Sequence, residues 1–149
     1  MWIIKFLKFI YEWRSVFKLF IRKPTAQIET FEQIAVKTYN EYMTKNNGLK
    51  VEIDLTLCKA AQYHSEWMKL NKKLSHIGAF GKSCHQRCLM AGFKGMYVAE
   101  QIFVLKGKNV KAAIEFFMNT IAAKDDIKDR FRYFGIGTSE GYWCIILGR

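Results

Sequence analysis

Proline is nearly absent from this chain: Pro24 is the only one in 149 residues. No low-complexity tract and no internal repeat occurs. With half the residues hydrophobic and 15% aromatic, a disordered or linker-like protein is excluded, and one globular domain with a real core is expected. Acidic residues are scarce. Thirteen Asp and Glu face 24 Lys and Arg, a formal charge of +11. That balance favours anionic partners, whether lipid, nucleic acid or an acidic protein surface. Nucleic acid is the disfavoured choice, because no patch interleaves Arg, Gly and aromatics and no zinc-finger spacing is present. Cysteine is limited to Cys58, Cys84, Cys88 and Cys144. Cys84-His85-Gln86-Arg87-Cys88 could align two ligands on a helix, but no second pair completes a tetrahedron. The four are therefore read as unpaired thiols, Cys58 and Cys144 as core residues.

Long apolar runs are missing too. The N-terminal "MWIIKFLKFIYEWRSVFKLFIRKP" is broken by charges at residues 5, 8, 12, 14 and 18, whereas a membrane span needs about 20 predominantly apolar residues. It also lacks the unbroken centre and small residues of a cleavable signal peptide. On a helix at about 100° per residue it sorts into two faces. Trp2, Phe6, Phe9, Trp13, Phe17 and Phe20 fall on one, and Lys5, Lys8, Lys18 and Arg22 on the other. Such an amphipathic helix suits an anionic membrane interface, a groove on a protein partner, or the chain's own body. The expected organisation is an anchoring or docking helix at 1–23, a linker at 24–30 and a domain at 31–149.

Within that domain, Thr30 and Gln33 read as a capping box. Phe31, Ile34, Ala35, Thr38, Tyr42 and Met43 follow at helical spacing until "NNG" at 46–48. Asp54 is a good N-cap for a second helix. Its polar stripe is Lys59, Gln62, Glu66, Lys69 and Lys73. Leu57, Cys58, Ala60, Ala61, His64, Trp67, Met68 and Leu70 lie opposite. His64 is read there as a packed residue rather than a ligand. A short helix is expected over 83–91, a strand in "MYVAEQIFVL", and a helix from Asn109. A closing hairpin turns at Glu140-Gly141. The class is α+β, layered. Glu100 sits among Val98, Ala99, Ile102 and Phe103, and a buried carboxylate needs a partner or a proton.

The motifs in order resemble a known family. "YNEYMTKNNGLKVEIDLTLCKAAQYHSEWM", "LSHIG", "RCLMAGF", "AEQI", "AAIEFFMNT" and "FGIGTSEGYWCIILG" are similar to successive segments of the CAP domain. That domain, also called SCP, is shared by cysteine-rich secretory proteins, venom allergens and plant pathogenesis-related proteins. Bacterial-type members are the closer match, over about residues 31–149. The resemblance implies an α-β-α sandwich with a small antiparallel sheet, and Phe117 in the place of a usual Trp. It also implies a cleft in which two His and two acidic residues hold a divalent ion in many members. His76 and Glu100 match the first His and the first Glu. The other two positions fall on Ala123 and near Thr120, which are not ligands, and Gln101 replaces the usual Asn. The tetrad is therefore degenerate. His76 and Glu100 are expected to hydrogen-bond each other and to hold the central strand against the helix after residue 55, with no metal and no cofactor.

Function follows as an expectation. The leading reading is a non-catalytic CAP-domain interaction protein. Its N-terminal helix would attach it to a membrane surface or a larger assembly, with lipid a possible ligand of the domain. A structural subunit of a viral particle or envelope complex is the alternative. A metal-dependent or hydrolytic enzyme comes third, since no Ser/His/Asp or Cys/His set with a motif supports a nucleophile. The matching locations are a membrane surface, the envelope or extracellular space, or a virion.

Overall fold

The computed structural model describes residues 29–121 and 130–149. The expected anchoring helix, most of the expected linker, and Ala123 lie outside the described residues. Helix α1 (Phe31–Lys45) starts at the expected capping box: Gln33 N donates to Thr30 Oγ1 at 3.2 Å, and Thr30 N to Gln33 Oε1 at 2.8 Å. The chain then turns at Asn46–Gly48. Asn40 receives it, pairing its side-chain amide with Val51 N and O, both at 2.9 Å. The two-residue strand β1 (Glu52–Ile53) leads to Asp54, which caps α2 (Leu55–Asn71) through Thr56 N and Leu57 N. After a loop with a short 3₁₀ turn (Ala79–Gly81), Ser83 caps α3 (Cys84–Ala91) with a second capping box closed by Gln86. Strand β2 (Val98–Val104), helix α4 (Val110–Ile121) and the hairpin β3 (Tyr133–Ser139) and β4 (Tyr142–Gly148) complete the order.

The sheet order is β1-β3-β4-β2. The three long strands are antiparallel, but β1 runs parallel to β3. The sheet is thus mixed rather than purely antiparallel. Such a parallel pair needs a long crossover, and here the chain between β1 and β3 holds three helices and β2. A second correction concerns β2. It lies mid-sequence and was expected as the central strand, yet it is an edge, because the hairpin occupies the middle of the sheet.

Alternation along β4 divides the core into two layers. Trp143, Ile145 and Leu147 face α1 and α4, with Tyr39, Ile114, Phe117 and Phe134. Cys144 and Ile146 face α2 and α3, with Leu57, Ala61, Met68, Cys88 and Ile102. Leu70, read as apolar-face, is 74% exposed. Two residues beyond Met68 is about 200° around the helix, which turns it away from the sheet.

Helix α2 lies directly on β3. The approach is possible because β3 carries glycines where the helix backbone crosses. A methyl at Gly135 would stand 2.6 Å from Cys58 N, and one at Gly137 2.5 Å from the Ala61 carbonyl carbon.

Candidate functional site

Glu100 of β2 pairs across the sheet with Ile146, and Ile102 with Cys144. This register turns Glu100 towards the α2–α3 layer. Its side chain is 3% exposed although it sits on an edge strand. A carboxylate so placed must be paired, and the structure supplies partners from three elements.

Arg87 of α3 is the main one. Its Nη2 donates to Glu100 Oε1, and its Nη1 donates to two carbonyls, His76 O at 2.9 Å and Lys82 O at 2.8 Å. With its side chain only 10% exposed, Arg87 ties together α3, the edge strand and the 76–82 loop. The planar fork of donors is what lets one side chain do this. His76 brings Nδ1 to 2.8 Å from Glu100 Oε2, while the ring itself is 63% exposed. Cys144 adds its thiol, donating to Glu100 Oε1 at 3.3 Å.

His64 borders the same cluster. It is fully buried on α2, stacked on Trp67 with 5.7 Å between ring centroids. Its Nε2 is 2.8 Å from Ser75 O and 3.9 Å from Glu100 Oε1. A carbonyl only accepts, so the proton is on Nε2. Burial, then the Arg87 charge, pushes its pKa down, and the neutral imidazole is the stable form. Gly78 packs on the ring so closely that a Cβ would stand 2.9 Å from His64 Nδ1.

All four cysteines are free. Cys58, Cys88 and Cys144 are buried, and Cys84 is half-buried with its sulfur 3.9 Å from that of Cys88. Burial and the facing Glu100 raise the Cys144 pKa. The hydrogen bond with Cys88, together with burial, raises that of Cys84. Both are thiols rather than thiolates at neutral pH.

The structure therefore joins His76 to Glu100 but does not bring Thr120 to them. Helix α4 belongs to the opposite layer, and the Thr120 hydroxyl donates to its own helix, to Phe117 O at 2.8 Å and Phe116 O at 3.0 Å. Arg87, His64 and Cys144 were not singled out from sequence as partners of Glu100. The available signal was electrostatic: a buried carboxylate calls for a buried cation, and "HQRC" offered one on the facing helix.

A divalent ion does not fit this arrangement. One carboxylate oxygen already takes Arg87 and the other takes His76, so an incoming cation would have to displace a guanidinium from a buried site. Among the described residues no three His, Cys, Asp or Glu side chains are grouped to hold a metal. The cluster is an ion pair with its cation built in.

No protein-family model and no curated protein matches the sequence. Solved structures do match the fold. An extracellular protein containing an SCP domain from Bacillus anthracis superposes with a TM-score of 0.69 at 19% identity, over 78% of this chain and 39% of that one. An outer surface protein from Borrelia burgdorferi gives 0.65 at 19%, over 80% of this chain and 92% of that one. A cysteine-rich secretory protein from Staphylococcus aureus gives 0.61 at 12%, over 84% and 40%. The matched region thus spans about two fifths of the Bacillus and Staphylococcus chains and nearly all of the Borrelia one. With its helices in two layers around a four-stranded mixed sheet, the chain has the fold of a CAP, or SCP, domain, and these solved neighbours are bacterial.

Proposed function

We propose that the chain is a non-catalytic CAP-fold interaction module, attached to a membrane surface or a larger assembly through residues 1–23. The observation that carries this reading is the saturation of Glu100. A carboxylate held by Arg87 and His76 is neither a free base nor a free ligand, and the thiol that donates to it, Cys144, is kept protonated by burial. The cleft residues are then spent on fixing the loop and the edge strand, and recognition falls to surfaces.

Attachment through residues 1–23 rests on the sequence pattern. At about 25 cal/mol per Å² of apolar area, each large aromatic burying ~100 Å² or more contributes roughly 2–3 kcal/mol. Phe9→Glu with Phe17→Glu should therefore abolish attachment, a loss of at least about 100-fold, while the 31–149 body keeps its melting temperature. Sedimentation with vesicles separates the modes. Membrane attachment through Lys5, Lys8, Lys18 and Arg22 requires anionic lipid and weakens as salt rises. Docking on a partner ignores lipid and persists at high salt. Normal localisation of the double variant would remove residues 1–23 from the account. Among the described residues, no helix is long and apolar enough to cross a membrane.

A further inference from the structure

The loop between α2 and α3 carries the most exposed large apolar side chain among the described residues. Phe80 is 95% exposed, and Leu74 and Ile77 beside it are also exposed. Phe80 also holds a left-handed backbone, φ 56° and ψ 29°. That conformation is unfavourable for a bulky L residue, and it persists where surroundings over-determine it.

The surroundings do so here. His64 holds Ser75 O, and Arg87 holds both His76 O and Lys82 O. Gly78 N donates to Lys82 O at 2.9 Å, and Lys82 N to Ala79 O at 3.2 Å. Gly78 is buried against His64 and Arg87, so the loop is pinned at its middle while Ile77 and Phe80 project. The buried cluster at Glu100 is thus the mount for an exposed apolar tip. Presenting that tip needs no further ordering of the loop, which favours binding.

The charge along the segment that carries the tip is of one sign. Between Glu66 and Glu100 there is no acidic residue, while Lys69, Lys72, Lys73, Lys82, Arg87 and Lys94 all fall there. Arg87 is spent on Glu100 and Lys69 pairs with Glu140. Lys72, Lys73 and Lys82 flank Phe80 in sequence and enter no ion pair among the described residues. Residues 1–23 carry charge of the same sign, six bases to a single acid.

We infer that the 72–82 loop is a membrane-contact element, in which Phe80 and Ile77 enter the interface of an anionic bilayer and Lys72, Lys73 and Lys82 meet the headgroups. A projecting aromatic on a loop bounded by lysines matches the interface on both counts, apolar depth and surface charge. This surface belongs to the folded body and is separate from residues 1–23.

The test uses the full-length protein and vesicles of phosphatidylcholine with or without phosphatidylglycerol. Phe80→Gly relieves the left-handed strain, so it should melt no lower than wild type while binding anionic vesicles about tenfold or more weakly. Phe80→Trp should retain binding. Lys72→Glu with Lys73→Glu and Lys82→Glu should lose the anionic-lipid dependence. The same changes made on top of Phe9→Glu and Phe17→Glu separate the two surfaces. If that background alone binds vesicles like wild type, membrane attachment through residues 1–23 fails and the loop reading stands. Unchanged vesicle binding by Phe80→Gly in both backgrounds would overturn the loop reading, as would a Phe80 dependence indifferent to lipid charge, which would point to a protein partner.

Discussion

Arg87→Met should cost about 3–5 kcal/mol of folding stability, because it leaves the Glu100 carboxylate buried beside an uncharged chain. For a domain of this size that corresponds to a fall in Tm of roughly 10–20 °C. The 76–82 loop should loosen at the same time, since the substitution removes the donors to His76 O and Lys82 O. Glu100→Gln should be milder. It removes the charge, while Arg87 keeps both carbonyl acceptors and the new amide oxygen can still accept. Arg87→Met combined with Glu100→Met should recover much of the loss, because removing both members of a buried pair is far less costly than removing one. Denaturant titrations of the four proteins check this order. An Arg87→Met variant within about 1 kcal/mol of wild type would mean that the pair is solvated and holds nothing.

Gly137→Ala is the other change with a large expected effect. The added methyl would stand 2.5 Å from the Ala61 carbonyl carbon, against backbone that no rotamer can move. Relief requires α2 to lift off β3, breaking the Leu57, Ala61 and Ile146 packing of that layer. Overpacking usually costs about 1–3 kcal/mol. With backbone on the other side the cost should exceed that range, and the variant should be recovered unfolded or as aggregate. Gly107→Ala offers a comparison, since Gly107 sits in a turn with φ 66° and an added methyl there meets no atom within 4 Å. It should strain the turn by about 1–2 kcal/mol but leave the protein folded. If Gly137→Ala folds with near-native stability, the helix does not rest on the strand as described.

The fold was legible wherever local chemistry decides it. Thr30, Asp54 and Asn109 start their helices from side chains that accept backbone N–H bonds, and such caps are local in sequence. The strand pairing was less legible. That β1 joins β3 in parallel, and that β2 ends at an edge, depends on which strands meet across the fold. Periodicity carries no such information.

The site was legible by half. Glu100 announces itself as an acid in an apolar strand, and "LSHIG" supplied His76 through a family resemblance. Arg87 did not announce itself, because an arginine on a short polar helix is usually solvated. What buries it is the packing of α3 against β2 and of the 76–82 loop against both. His64 was read as packed, and it is. Its contact with Ser75 O also pins the loop, a partnership eleven residues away that no helical pattern reveals.

The central claim is that Glu100 belongs to an ion-pair mount whose cation is Arg87, rather than to a metal centre. Thermal melts of the wild-type chain and of His76→Ala, each with excess chelator and then with a molar excess of zinc, test it most directly. The account predicts that zinc leaves the wild-type Tm unchanged within about a degree, and that His76→Ala melts lower than wild type by the same margin in both conditions. A zinc-dependent rise of several degrees in the wild type that disappears in His76→Ala would contradict it, and would make the cleft a working metal site.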